Sequence, residues 1–329
     1  MPAKESVDAW LQFSLQQIAA ESYLAGEAGE ELPIALERGS SRKGYADTGF
    51  TRLTQTQSTA FLQRYEIVYQ WPNDATGFSL TLLRDKQKNQ YTLSFRSTEY
   101  RLPSSGGDFD RDYAADSDIA SKGFAFAQLL SMRRVWSALQ NGQIPSGGFG
   151  TGIDLAKITA FSSYIHSPGA QVDVTGYSLG GHLATVFTEL FTDKVRNAYL
   201  FNAPGRGYIN ESASYKGSTG IAALLDFASD RLHEEGVQWE ALPTSTNIYQ
   251  QTMSSGANWT SFANQFYQAF ANSGVTIPPS NSGQLIGGAA GQKLITIYGR
   301  ATHDDTEFVA NSGYLGANKT HCSLKINRR

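Results

Sequence analysis

The run Gly176-Tyr177-Ser178-Leu179-Gly180-Gly181-His182 sets a serine between glycines at the spacing Gly-x-Ser-x-Gly. Before it, Gln171 to Thr175 alternates Val172 and Val174 with polar residues, which reads as a short strand. After it, Leu183, Val186, Phe187, Leu190 and Phe191 recur at helical spacing. A serine on such a strand-to-helix turn is forced into a strained backbone geometry that small neighbours alone permit. The chemistry this serves is attack on a carbonyl carbon. The hydroxyl stands above the sheet edge, while the Leu179 backbone N–H and the positive end of the helix stabilise the oxyanion that forms. The plainer alternative is a serine whose hydroxyl merely caps the helix.

A serine hydroxyl needs an imidazole within hydrogen-bond reach to take its proton, and a carboxylate to hold that imidazole in the right tautomer. The chain has five histidines. The partners of an elbow serine follow it in the order acid, then histidine, which disfavours His166, ahead of the serine, and His182, on the helix directly behind it. Of His233, His303 and His321, the last follows the final strong strand and is the first choice of base, with His303 next. The acid is expected just beyond a strand, and Lys293 to Gly299 (KLITIYG) is a strand followed by Arg-Ala-Thr-His-Asp-Asp. Asp304 is therefore the first choice and Asp305 the second. Asp226 and Asp230 compete from Ala222 to Glu235, where a solvated helix face is the plainer reading.

A second signal is Ser94-Phe95-Arg96-Ser97-Thr98-Glu99, at the end of a strand. With GYSLGG, the segment FNAPGRG (201–207), the strand KLITIYG and the late histidine, it makes residues 75–325 resemble the class 3 lipase family. The elbow, the RSTE segment and the acidic GGDFDRD run also resemble the lipase- and phospholipase-like catalytic regions of large bacterial secreted repeat proteins. The resemblance implies an α/β-hydrolase acting on lipid esters. It gives Thr98 the second oxyanion donor and Arg96 the part of bracing that segment, and it makes Thr320 to Leu324 the start of a histidine-bearing helix. Ser97 stands where the family usually has glycine, and a Cβ there narrows the backbone's options. That departure motivates one alternative, a non-catalytic binding or toxin-delivery module on the same fold; an esterase for short soluble esters or polyesters is the other.

The elements that must position these residues read as α/β. A helix is expected over residues 7–25 and an irregular stretch over 33–60. A hairpin follows, from residues 78–85 and 91–98. Residues 101–118 read as loop, 122–140 and 155–165 as helices, and 198–202 as a strand. Alternating strand and helix predicts a mostly parallel central sheet flanked by helices, in one domain over 1–329 with an insertion at about 206–290. In that insertion Trp259, Phe262, Phe266 and Phe270 form an aromatic helix face, either core or a lid that meets a lipid surface.

The acidic run Asp108, Asp110, Asp112, Asp116 and Asp118 fits no EF-hand, since Tyr113 and Ile119 occupy the places of the required Gly and Glu. An irregular structural calcium site is the remaining option, and a charged loop the plainer one; the proposed chemistry requires no cofactor or metal. Cys322 is the lone cysteine, which excludes an internal disulfide or a zinc cluster built on thiolates. Lys and Arg number 27 against 30 Asp and Glu, a net charge of −3, so no positive field invites nucleic acid. The partner expected instead is a lipid or other ester substrate, met through apolar contacts; the sequence sets no oligomeric state. No apolar run has membrane-spanning length and the first residues lack the apolar stretch of a signal peptide, so a soluble protein is expected, with export left to a route without such a signal.

Overall fold

The computed structural model describes residues 12–13, 15–16, 18–22, 31–40, 52–71, 73–74, 76–99, 109–144, 154–207, 209, 220–234, 288–302, 305–309 and 323–325. Its centre is a sheet of eight strands lying side by side in chain order. β1 (Tyr65–Trp71), β2 (Leu80–Asp85) and β3 (Gln90–Phe95) run antiparallel to one another. β3, β4 (Val172–Tyr177), β5 (Val195–Phe201) and β6 (Leu294–Thr302) are parallel. β7 (Asp305–Val309) and β8 (Ser323–Lys325) add antiparallel pairs at the far edge. The sheet is thus mixed, with the expected parallel pairing at its centre and antiparallel strands at both edges, in the α/β arrangement the sequence predicts. The β2–β3 hairpin closes as expected, with the Asp85 carboxylate accepting from the Gln87 and Lys88 N–H groups of the turn.

The expected irregular stretch 33–60 instead holds α1 (Leu32–Arg38) and much of α2 (Gln55–Arg64). Both carry local start signals: a proline in the first turn of α1, and a reciprocal capping box between Thr54 and Gln57 on α2. Likewise the acidic stretch read as loop is largely α3 (Phe109–Lys122), whose first turn holds Asp110 and Asp112 near the positive helix end. α4 (Phe126–Gln140) and α5 (Leu155–Ile165) match expectation, α5 starting at Asp154, whose carboxylate accepts from the Ala156 N–H. α6 (Leu179–Leu190) follows the serine, and α7 (Gly220–Glu234) lies in the expected insertion. The stripe from Trp259 to Phe270 lies outside the described residues, as do residues 1–11 of the expected first helix; described residues between 12 and 20 are helical.

The two faces of the sheet differ. Leu82, Leu93, Phe95, Val174 and Leu200 point to one side, where Trp136 of α4, Phe161 of α5 and Phe187 of α6 pack edge to face among them. On the other side one register row reads Gln70, Thr81, Ser94, Thr175, Tyr199 across five strands. Alternation of this kind ordinarily marks a solvated face, yet Thr81, Ser94 and Thr175 are fully buried. Phe13 to Ser22 covers them. Phe13 stacks on Tyr199 at 3.8 Å, the Ser94 hydroxyl donates to Gln16 O, and the Gln70 amide donates to Ser22 O at 2.9 Å. Among the described residues no helix is long and apolar enough to cross a membrane.

Candidate active site

Parallel pairing brings three chain turns to one edge. Phe95 is level with Gly176, and Phe201 with Tyr177. Segment 96–99 therefore leaves β3, and 202–207 leaves β5, on either side of Ser178. Ser178 has φ 50 and ψ −116, a conformation open mainly to glycine. Its N–H donates to Phe201 O at 2.9 Å, and its hydroxyl makes no cap bond to α6. The cap alternative is thereby overturned: the strained residue leaves its oxygen available, and the side chain is only half-buried.

The glycines of the motif are required by close approach. A Cβ on Gly176 would lie 2.2 Å from Gly180 O, and one on Gly180 2.4 Å from Phe95 O and 2.8 Å from Arg96 O. Their absence lets α6 start against both the strand before it and the end of β3. Leu179 is buried, and as the first residue of α6 its N–H has no acceptor within the helix.

The second donor segment is held by acids. The Ser97 N–H donates to Glu21 Oε1 at 2.8 Å, and the Glu99 N–H to Asp112 Oδ2 at 2.7 Å. The Thr98 N–H, between them, meets no acceptor among the described residues. The Thr98 hydroxyl donates to Asp116 Oδ2 at 2.8 Å; burial raises the Asp116 carboxyl above its usual range, and this hydrogen bond opposes the rise. Arg96 lies buried between Glu21, 3.7 Å from its Nε, and Glu99, 3.5 Å from its Nη2, and so does brace the segment. Ser97 is not among the residues with positive φ, which are Asn89, Ser178 and Asn202 outside the glycines. A Cβ is accommodated there without strain.

Glu21, Asp112 and Asp116 were not legible as supports of the site, though Asp112 and Asp116 stand four apart and so share one face of α3. A further support is Arg206 of FNAPGRG, which forks onto both Glu189 oxygens of α6 at 2.5 and 2.8 Å. Among the described residues no group of three or more His, Cys, Asp or Glu side chains could hold a metal ion.

His182 is fully buried on α6. Its Nε2 accepts from the Ala125 N–H at 3.2 Å, which leaves Nδ1 to donate to Gly205 O at 2.7 Å. It ties the turn before α4 to the loop after β5, and both ring nitrogens are engaged. Burial pushes its pKa from 6.5 down to about 4. The unfolded chain takes up this proton near pH 6.5 and the folded one only near pH 4. The stabilisation is therefore complete above 6.5 and is lost as pH falls to 4, by about 3 kcal/mol. Urea unfolding across that window is expected to show this slope in the wild type and a shallower one in His182→Gln; equal slopes would contradict it.

His166 caps the end of α5, exposed, with Nδ1 on Ser162 O, and His233 is exposed on α7. Asp226 pairs with Arg133 at 2.7 Å on the surface, the solvated helix face expected of it, and Asp230 lies one turn further along α7. His303, Asp304 and His321 lie outside the described residues. Asp305 opens β7, paired with Thr302. Ser323 opens β8, four strands from β4. The segment 323–325 is thus a strand, where the resemblance implied a helix start; its pairing with β7 fixes the extended form. The structure brings Ser178, Leu179 and Thr98 to one edge.

A sheet with a parallel centre that delivers a serine into a strained turn before a helix, with free N–H groups beside it, is the α/β-hydrolase arrangement. No protein-family model matches the chain, and no curated protein matches it. Among solved structures, the crystal structure of Lip2 lipase from Yarrowia lipolytica is similar at 15% identity and a TM-score of 0.32, over 66% of this chain and 70% of that one. That of M37 lipase is similar at 12% identity and a TM-score of 0.33, over 87% and 85%. The fold class stands on the sheet and the elbow, not on these likenesses.

Proposed function

We propose that this protein is a serine hydrolase of carboxylic esters, acting on lipids in the manner of a lipase or phospholipase A. The observation that carries this reading is Ser178: strained to φ 50, half-buried, its hydroxyl not spent on the helix cap. In the first step the Ser178 oxygen bonds to the ester carbonyl carbon while its proton passes to a histidine, and the carbonyl oxygen becomes an oxyanion facing the Leu179 and Thr98 N–H groups. The tetrahedral intermediate then expels the alcohol, which takes that proton, and leaves an acyl-serine. Water, deprotonated by the same imidazole, releases the acid and restores Ser178.

Chain order supports His321 as the base, with His303 its competitor, and Asp304 as the acid, with Asp305 next in sequence. The Trp259 to Phe270 stripe supports an apolar cover for the acyl chain. The reaction itself calls for no cofactor.

A series of p-nitrophenyl esters from acetate to palmitate, with a fluorogenic phosphatidylcholine, tests the substrate class. Hydrolysis is expected to rise with acyl length from acetate to the medium and long chains. Activity confined to acetate and butyrate would remove the lipid reading and leave a soluble-ester hydrolase.

A further inference from the structure

The covering segment does more than bury a polar row. It crosses the sheet in a definite order, with Phe13 over Tyr199 of β5, Gln16 over Ser94 of β3 and Ser22 over Gln70 of β1. The row beneath it is one register line, so the segment has fixed anchor points at both ends and in the middle. Between the last two anchors stands Glu21, 5% exposed, whose side chain leaves the row and reaches the segment beyond β3. One oxygen accepts the Ser97 N–H at 2.8 Å; the other lies 3.7 Å from Arg96 Nε. A buried carboxylate aligned by three anchors and bonded to the N–H next to that of Thr98 fixes where the Thr98 N–H points. Asp112 holds the other neighbour, Glu99, in the same way.

We infer that Glu21 is a positioning residue for the oxyanion segment 96–99, and that the chain from Phe13 to Ser22 is a working part of the active site, not only a cover. The inference rests on the proposed ester hydrolysis. An oxyanion donor acts through its direction, and donors are held in place by residues whose own bonds are satisfied. Loss of the Glu21 acceptor lets the Ser97 peptide rotate and carries the Thr98 N–H with it. Substrate binding, which does not use the oxyanion, is little affected.

The test compares wild type, Glu21→Gln and Glu21→Ala on p-nitrophenyl butyrate and in the rate of phosphonylation by a fluorophosphonate, with thermal melts to count folded molecules. Glutamine keeps an oxygen for the Ser97 N–H and loses the charge facing Arg96; alanine loses both. Per folded molecule, kcat is expected to fall about 10-fold in Glu21→Gln and about 100-fold in Glu21→Ala, with KM changed less than about 3-fold and phosphonylation slowed in parallel. A reactive wild type whose variants react equally fast per folded molecule, melting lower or not, would overturn the positioning role alone. A wild type that neither hydrolyses the ester nor takes up the probe would overturn the ester-hydrolase reading, and this inference with it.

Discussion

Ser178→Ala is expected to lower kcat for ester hydrolysis by about 10⁴-fold or more while the melting temperature stays within a few degrees of wild type. The two halves of this expectation have separate causes. The serine oxygen supplies the bond to the acyl carbon, and nothing else in the described residues at that edge replaces it. It supplies almost nothing to the fold, since it makes no cap bond to the helix it precedes. The backbone at this position works against stability: φ 50 with ψ −116 costs a residue with a Cβ about 1–3 kcal/mol, and glycine much less. Ser178→Gly should therefore be equally inactive and more stable by about 1 kcal/mol, less glycine's added unfolded-state entropy. Kinetics on p-nitrophenyl butyrate with urea melts of both variants check this. A Ser178→Gly protein that melts well below Ser178→Ala would show that the strain is not stored there.

The second large effect is expected at Gly180. An alanine Cβ would stand 2.4 Å from the carbonyl oxygen of Phe95 and 2.8 Å from that of Arg96. Both are backbone atoms at the end of β3, so relief requires α6 and the oxyanion segment to separate. Overpacking against backbone in a closed site is expected to cost about 3 kcal/mol or more. Any molecules that fold will hold Thr98 away from Ser178, so kcat per folded molecule should drop as well. A Gly180→Ala protein with native melting temperature and native kcat would contradict the close approach. The elbow glycine thus serves two ends through one contact: the same 95–96 carbonyls that exclude a side chain belong to the strand that feeds the oxyanion segment.

The legible parts of this molecule were those whose cause is local. Strand, turn and helix around Ser178 follow from Val172 and Val174, from Gly176 and Gly180, and from the apolar period of α6, and they stand where the sequence put them. The β2–β3 hairpin follows from alternation about a polar turn. Parts set by tertiary contact were not legible. The acidic stretch from Phe109 to Asp118 has loop composition, yet it is helical, with Asp112 and Asp116 accepting from a backbone N–H and a threonine hydroxyl far from it in the chain. Only their spacing of four residues hinted at a shared face. The row Gln70, Thr81, Ser94, Thr175 and Tyr199 has the pattern of a wet surface, and nothing nearby in the chain announces the segment that buries it. Glu21 acts 76 residues away in sequence from the N–H it holds. β1, Tyr-Glu-Ile-Val-Tyr-Gln-Trp, lacks clean alternation because three apolar residues follow one another at Ile67 to Tyr69, where its register with β2 shifts. The expected helix at Thr320 to Leu324 came from resemblance, and the pairing of Ser323 to Lys325 with β7 replaced it by a strand.

The claim on which the rest depends is that Ser178 is an activated nucleophile. It is tested most directly by treating the folded full-length protein with a fluorophosphonate and locating the adduct by mass spectrometry, with Ser178→Ala as control. A fluorophosphonate bonds to a serine whose proton is being withdrawn and whose developing oxyanion is held, so it reports the base and the donors together without presuming the natural ester. The expected result is one adduct, on Ser178, absent from the control. A folded protein that takes up no probe, or takes it up elsewhere while Ser178 stays unmodified, would contradict the account and favour a binding module on a hydrolase fold.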